Sequence, residues 1–495
     1  MLLARRLFLA ALLYAALPLL LLTVLELGLR AAGVGSSTAW LLRRECDSAG
    51  VFTPNRAFYQ QFSRIPIRDF LNWDELDFVL PAEKDSDTIR IFAFGESALF
   101  GERSAVRMLE VMLADRFPER DFEVYNASCP GMNSHVLRRT AAEAAAFSPD
   151  CFVIYMGNNE AIGPYGASTA MPSLGPLWSP PVVQALIALN DLRLVQWATA
   201  RGNRPWASPT PEQLAASVPG MVDHDRVNDL FQLNLTAMLE TANDSGAASV
   251  VCTLSHNRSF GAPGLTPDSP AGTPLNQIAM STAKSMGAEL ANVDQALHDA
   301  APGGTPDYEF FTDNIHFRFE GNYVVACAMF DAVLNALAPK LPKALPPPRD
   351  RVAELLAWTP AAEAALLRLQ INAGFDEPSK QKLRERLVEL EGGAVDLSVV
   401  AIAQGYENAL ALRPSDLQLL RGWFDASFHG GMHAEAAEAA EAMKRRQPCA
   451  CATLRAEARV AGLRAEPDRA RALFERLLEV YPGDEPALAA LGMLP

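Results

Sequence analysis

From Leu7 to Leu25 the chain runs nineteen positions without a charge, with Arg5 and Arg6 before the run and Glu26 and Arg30 after it. A helix of that length covers about 28 Å, close to the hydrocarbon thickness of a bilayer. Pro18 kinks such a helix, which bilayer helices tolerate better than soluble ones. The pattern predicts a membrane-spanning anchor over residues 1–30. A cleaved signal peptide is the competing reading, disfavoured by the length of the run and the lack of an A-x-A site beside it. In either case the paired arginines stay in the cytoplasm, which places the rest of the chain in the periplasm or another extracytoplasmic space.

After a connecting segment, residues 31–84, the pattern changes. Thr88–Phe94, Phe122–Tyr125, Cys151–Met156, Ser249–Leu254 and Glu289–Val293 are short, mostly continuous apolar runs. Such runs belong to strands buried on both faces, as in parallel sheets. Between them lie amphipathic stretches such as Ala105–Arg116, Val136–Phe147 and Asn228–Asp244, which predict helices. Strand and helix in alternation give βαβ crossovers, hence an α/β, three-layer αβα domain over residues 85–338. Ligands of such sheets bind at the carboxyl ends of the strands. Residues 161–224, rich in Pro, Gly and Trp, form an insertion in which Val183, Ile187, Leu194 and Trp197 fall on one helical face. That helix either covers the sheet or acts as a lid or membrane-facing entrance near the site.

Residues 339–348 hold five prolines in ten positions and predict a stiff, extended linker, ending near residue 350. Beyond it, residues 351–495 show no strand pattern and are rich in Ala, Leu, Glu and Arg. Pro414, Pro448 and Pro482 stand 34 residues apart, the period of a helix-turn-helix repeat. On that register Ala436 and Ala470 coincide, as do the aromatic residues Tyr406 and Phe474. Over about residues 383–495 this all-α part resembles tetratricopeptide repeats, departing at Phe424, where the pattern calls for a small residue. The resemblance implies a concave groove for a protein or peptide partner. The plainer role is to cap and stabilise the α/β domain.

Composition narrows the field. A net charge of −15 without a basic run argues against nucleic-acid binding. Seven cysteines in 495 residues are too few for a disulfide scaffold, and Cys449-x-Cys451 reads as two small buried residues. His224, His298, His429 and His433 are scattered, with no metal-ligand spacing, so neither metal nor cofactor is expected.

Candidate chemistry gathers at the strand ends. The first strand runs into Gly95-Glu96-Ser97, where the glycine permits a tight turn and the serine opens a helix, hydroxyl exposed and N–H free to meet an oxyanion. The second ends near Gly131, a source of a further backbone N–H, and the third in Gly157-Asn158-Asn159-Glu160, a source of a side-chain amide. Much later comes Asp313-x-x-His316, with Gly321 five residues on. An aspartate three residues before a histidine on a loop can hold the imidazole by Nδ1 and leave Nε2 to take the serine's proton.

This order of blocks resembles the SGNH (GDSL-type) hydrolase superfamily over about residues 85–335. The first block reads Gly-Glu-Ser-Ala where that family writes Gly-Asp-Ser-Leu, and Glu160 stands in place of an Asp. The resemblance implies a flavodoxin-like fold with Ser97 as nucleophile, His316 as general base and Asp313 as its orienting acid. It also implies an oxyanion hole of the Ser97 and Gly131 amides and the Asn159 side chain. The expected activity is hydrolysis of O-acyl esters, acetyl foremost, on cell-envelope glycans or lipids. An O-acyltransferase using the same triad, and an inactive membrane-anchored scaffold, are the alternatives. His256 and Arg258, after the fourth strand, are candidate substrate contacts, with loop hydrogen bonding as the plainer role. His135 reads as a surface residue at a helix start.

Overall fold

The computed structural model describes residues 2–46, 49–62, 76, 78–167, 177–199, 224–260, 273–338, 340–373, 375–481 and 484–492. Parts of the predicted insertion, together with Pro339 and Pro482, lie outside these. The backbone of Leu2–Ala31 is one helix, α1. Its side chains up to Leu13, and that of Ala15, also lie outside the description, and with them much of the predicted anchor. Among the described residues no helix is long and apolar enough to cross a membrane. The described part of α1 nonetheless leaves Leu17, Leu19, Leu22, Val24 and Leu27 exposed.

The connecting segment is not featureless. β1 (Leu41–Cys46) and β2 (Ala49–Pro54) pair antiparallel, a short helix α2 (Arg56–Gln60) follows, and β3 (Leu80–Pro81) adds to β2.

The main sheet contains β4 (Thr88–Gly95), β5 (Asp121–Asn126), β6 (Cys151–Tyr155), β7 (Ala248–Cys252) and β8 (Glu289–Ala291) in the order β5-β4-β6-β7-β8. Every pairing is parallel. Its helices are α3 (Ala105–Arg116), α4 (Ser134–Ala144), α5 (Pro180–Leu189), α6 (Arg193–Thr199), α7 (His224–Ser245), α8 (Pro274–Met286), α9 (Val293–Ala300) and α10 (Phe319–Ala336). Successive strand residues feed opposite cores, because side chains alternate across a sheet. Ile89, Ile91, Ala93, Val153 and Tyr155 pack with α3, α9 and α10. Phe92, Phe94, Phe152 and Ile154 pack with α4, α7 and the α2 region. Strand order reverses at β4: the chain steps outward to β5, then returns past β4 to β6. Such a switch point is where open α/β sheets form the crevice that binds their ligands.

The insertion helix is broken in two. Asn190 ends α5, whose Val183 and Ile187 are buried, and α6 leaves Trp197 57 % exposed. The four residues therefore do not share one buried face. The Glu26 carboxylate of α1 accepts the N–H groups of Arg193 and Leu194 at 3.0 and 2.9 Å, capping α6 from another helix.

The proline-rich segment is extended but does not hang free. Leu341 is buried, the Tyr323 hydroxyl donates to the Pro347 carbonyl, and Arg116 donates to the Leu345 carbonyl. The helical half follows: α11 (Arg349–Leu355), α12 (Pro360–Ile371), α13 (Glu377–Glu391), α14 (Val399–Leu412), α15 (Leu417–His429), α16 (His433–Arg446), α17 (Cys451–Leu463), α18 (Pro467–Val480) and α19 (Glu485–Ala490). α15, α17 and α19 begin 34 residues apart. Phe424 is buried in stacking contact with Phe428, and the close approach falls at Gly422, where any Cβ would collide with the Tyr406 ring.

This half packs on the α/β unit. Arg107 of α3 donates to Asp416, a pair almost wholly buried, and Arg103 lies over the Trp358 ring. Cys46 of β1 is disulfide-bonded to Cys449. The reading of Cys449 and Cys451 as two small buried residues is corrected for Cys449, whose partner lies 403 residues away. Cys451 is buried and outside any disulfide, its sulfur accepting from Arg455 at 3.4 Å.

Candidate active site

β4 delivers Gly95-Glu96-Ser97 at the crevice. Ser97–Leu99 form a single 3-10 turn whose first N–H groups have no intrahelical acceptor. A Cβ on Gly95 would meet the Ser128 hydroxyl at 2.7 Å, so only glycine allows the loops after β4 and β5 to lie so close. The Asn126 amide then donates to the Leu99 carbonyl at 2.8 Å and fixes the turn to the end of β5.

The histidine comes from a tight loop between α9 and α10. Phe311 and Phe317 form an antiparallel bridge with their rings 5.1 Å apart, and the Thr312 N–H donates to the His316 carbonyl. Within this closed loop Asp313 Oδ1 accepts the N–H groups of Ile315 and His316 at 2.9 and 2.8 Å. Its Oδ2 lies 2.6 Å from His316 Nδ1, and His316 Nε2 lies 2.8 Å from Ser97 Oγ. Ser97 and the Asp313–His316 pair, more than two hundred residues apart in sequence, thus form one hydrogen-bonded line. Burial works to raise the Asp313 pKa, but the His316 ring and the two backbone amides outweigh it and hold the carboxyl below its ordinary value. Asp313 is therefore the ionised end of the line.

Gly131 stands at φ 72°, in the left-handed region, at the turn after β5. Asn159 is buried, and its Nδ2 donates to the carbonyl of Met132 at 2.9 Å. One N–H of that amide is spent on the Gly131 turn, and a primary amide carries two.

Two buried carboxylates brace these loops. Glu96 accepts the N–H groups of Gly157, Asn158 and Asn159 at 2.9, 2.8 and 3.4 Å. Glu160 accepts the Ser134 N–H at 2.9 Å and its hydroxyl at 2.7 Å, joining the β6 loop to the start of α4. Burial, helped by the nearby Glu160 charge, pushes Glu96 up to about 8 against its three backbone donors. Burial pushes Glu160 up to about 7.

The remaining candidates have other surroundings. Arg258 pairs with the buried Asp294 at 3.2 Å, and its N–H donates to the Pro306 carbonyl. Burial, with Arg258 nearby, lowers His256 to about 4, which keeps it neutral. His135 is no surface residue: it is buried at 2 % exposure in the first turn of α4, 3.0 Å from the Asn234 amide. Burial lowers its pKa to about 3. Gly321 sits where α10 presses on the Phe310 carbonyl, leaving no room for a side chain. Among the described residues no group of three or more His, Cys, Asp or Glu is gathered to hold a metal ion.

Asn257, absent from the candidates above, is buried and spans both loops. Its N–H donates to the Asn314 carbonyl at 2.8 Å and its amide to the Asp313 carbonyl at 3.0 Å. It lies next to His256 in sequence, but only the fold reveals its partners. A second such residue is Phe375, between α12 and α13, whose ring stands edge-on to His316 with centroids 6.4 Å apart.

No family model matches this chain, and no curated protein matches it in sequence. Structural likeness to solved proteins covers about half of the chain. A putative GDSL-like lipase from Parabacteroides merdae is 15 % identical with a TM-score of 0.33, over 51 % of this chain and 97 % of its own. TesA is 18 % identical with a TM-score of 0.29, over 51 % of this chain and 99 % of its own. Axe2, an acetylxylan esterase from Geobacillus stearothermophilus, is 13 % identical with a TM-score of 0.33, over 50 % of this chain and 94 % of its own.

Proposed function

We propose that this chain is a serine ester hydrolase acting on O-acyl esters, acetyl foremost, of cell-envelope glycans or lipids. The observation that carries the reading is the line Ser97 Oγ, His316 Nε2, His316 Nδ1, Asp313 Oδ2, with contacts of 2.8 and 2.6 Å at its two joints. In that role Ser97 Oγ attacks the ester carbonyl and gives its proton to His316 Nε2. Asp313, already ionised, stabilises the imidazolium and fixes the ring by Nδ1. The oxyanion is held by the Ser97 and Gly131 amides and the second N–H of Asn159, each such donor contributing about 3 kcal/mol. His316 returns the proton to the departing alcohol, then takes one from the water that frees the acid and restores Ser97.

The same reading places the globular part outside the cytoplasm, held by α1. The exposed apolar side chains of α1 support an anchor, because water penalises such a surface and lipid does not. The Cys46–Cys449 disulfide supports an oxidising compartment. The helical repeats remain a candidate protein- or peptide-binding surface on their outward side, their α14–α15 region being turned to α3.

A fluorophosphonate probe tests the assignment. Wild type should label and Ser97→Ala should not, with p-nitrophenyl acetate turnover lost in parallel. Equal labelling of both proteins would sink the assignment of the nucleophile. Acetyl recovered on an added oligosaccharide, in place of free acetate, would move the enzyme to the acyltransferases.

A further inference from the structure

The helical half supplies a wall of the site. We propose that Phe375, carried at the tip of the α12–α13 hairpin, determines which alcohol portion of an ester the enzyme accepts. The inference rests on the hydrolase reading and adds a residue from the other half of the chain to it.

Its basis is where the hairpin docks. Glu363 of α12 is held by Arg386 of α13 at 2.8 Å and lies 3.7 Å from Arg318, two residues beyond His316. Arg318 in turn donates to the Tyr308 carbonyl at 3.0 Å, on the chain leading into the Asp313 loop. At the hairpin tip Asp376 caps α13, accepting the Ser379 N–H at 3.0 Å and its hydroxyl at 2.8 Å. The residue before that cap is Phe375, which therefore stands at the start of α13. The hairpin is therefore clamped to the histidine loop by charge, and its one aromatic tip residue meets the imidazole.

The chemistry then assigns the side of the substrate. His316 must protonate the leaving oxygen, so the alcohol departs past the imidazole while the acyl group stays on Ser97. A ring edge-on to that imidazole borders the alcohol, not the acyl chain. Acetyl esters of different alcohols share one acyl-enzyme, so alcohol preference is read in kcat/KM and not in its later hydrolysis.

The full chain is assayed with two series: ethyl, phenyl and 2-naphthyl acetates, and p-nitrophenyl acetate, butyrate and octanoate. Phe375→Ala should change the ratio of kcat/KM for 2-naphthyl over ethyl acetate by roughly two- to tenfold, the scale of one aromatic contact. The ratios within the p-nitrophenyl series should hold. Phe375→Trp, which keeps an aromatic wall and enlarges it, should move the alcohol ratio without the loss of packing that Ala brings. An unchanged alcohol ratio in both variants, with fluorophosphonate labelling intact, overturns the proposal alone. A shift confined to the acyl series also overturns it. Failure of the wild type to label overturns the hydrolase reading, and this proposal falls with it.

Discussion

The Glu96 carboxylate accepts the N–H of Asn158 at 2.8 Å, and through the same group those of its two neighbours. The residue before the candidate nucleophile thus holds the loop that carries Asn159. Glu96→Ala leaves three buried donors without their acceptor and should cost about 2–4 kcal/mol of stability. Glu96→Asp, one methylene shorter, should fold but slow turnover, because it draws the loop toward β4. Denaturant unfolding and kcat on p-nitrophenyl acetate separate these outcomes. An Ala variant as stable as wild type would show that water replaces the carboxylate.

Glu96 and Glu160 also set a pH dependence. Their folded values, about 8 and about 7, lie above the ordinary carboxyl range. The folded protein therefore holds more protons than the unfolded chain between those limits, and stability falls as pH rises. The contribution is whole below about pH 4.5, declines through neutrality and is gone above about 8. Glu96→Gln removes one of the two titrations. Its melting temperature should fall less than that of wild type between pH 5 and 9, and parallel curves would contradict the shift.

Much of this was legible before any coordinates, for physical reasons. Strands buried on both faces must be written as apolar runs, so β4, β6 and β7 announce themselves. Short partly polar strands need not, and β1, whose residues include Arg43, Arg44 and Glu45, gave no such run. Glu96 was visible as a departure from a motif, but its purpose lies in three backbone N–H groups sixty residues away. Asn257, Phe375 and the Cys46–Cys449 pair act across the fold, and nothing local marks them.

Asn257 holds the loop that carries Asp313, the acid of the proposed triad. Its backbone N–H bonds the Asn314 carbonyl and its side-chain amide the Asp313 carbonyl, and only the second bond is lost on substitution. Asn257→Ala should lower kcat by up to about a hundredfold through displacement of His316. KM should be almost unchanged, and Asn257→Asp, which lacks the donor, should behave like Ala. A loss confined to KM would instead assign Asn257 to substrate binding.

The disulfide predicts a chemical count and a stability change. Cys129, Cys151, Cys252, Cys327 and Cys451 form no disulfide, so the denatured, unreduced protein should show five reactive thiols, and reduction should raise this to the full seven. Cys46→Ser should cost about 2–4 kcal/mol, because the bond closes a very long loop in the unfolded chain. Addition of reductant should destabilise wild type and leave Cys46→Ser unaffected.

Arg107 and Asp416 carry the last prediction, which bears on the junction of the two halves. Burial acts to raise Asp416, but Arg107 and Arg413 overcome it and hold the carboxyl at about 2. Folding thus depends on an ionised Asp416, and the contribution is present above about pH 4 and lost as pH falls toward 2. Asp416→Asn leaves the buried Arg107 with Glu110 as its remaining carboxylate and should cost up to about 3–5 kcal/mol, whereas Arg107→Met with Asp416→Leu should recover most of that. The single variant should also alter the Phe375-dependent alcohol preference, because α12 packs on α14, the helix that leads into Asp416. A variant that is destabilised with its alcohol preference untouched would separate the α15 contact from the hairpin at the site.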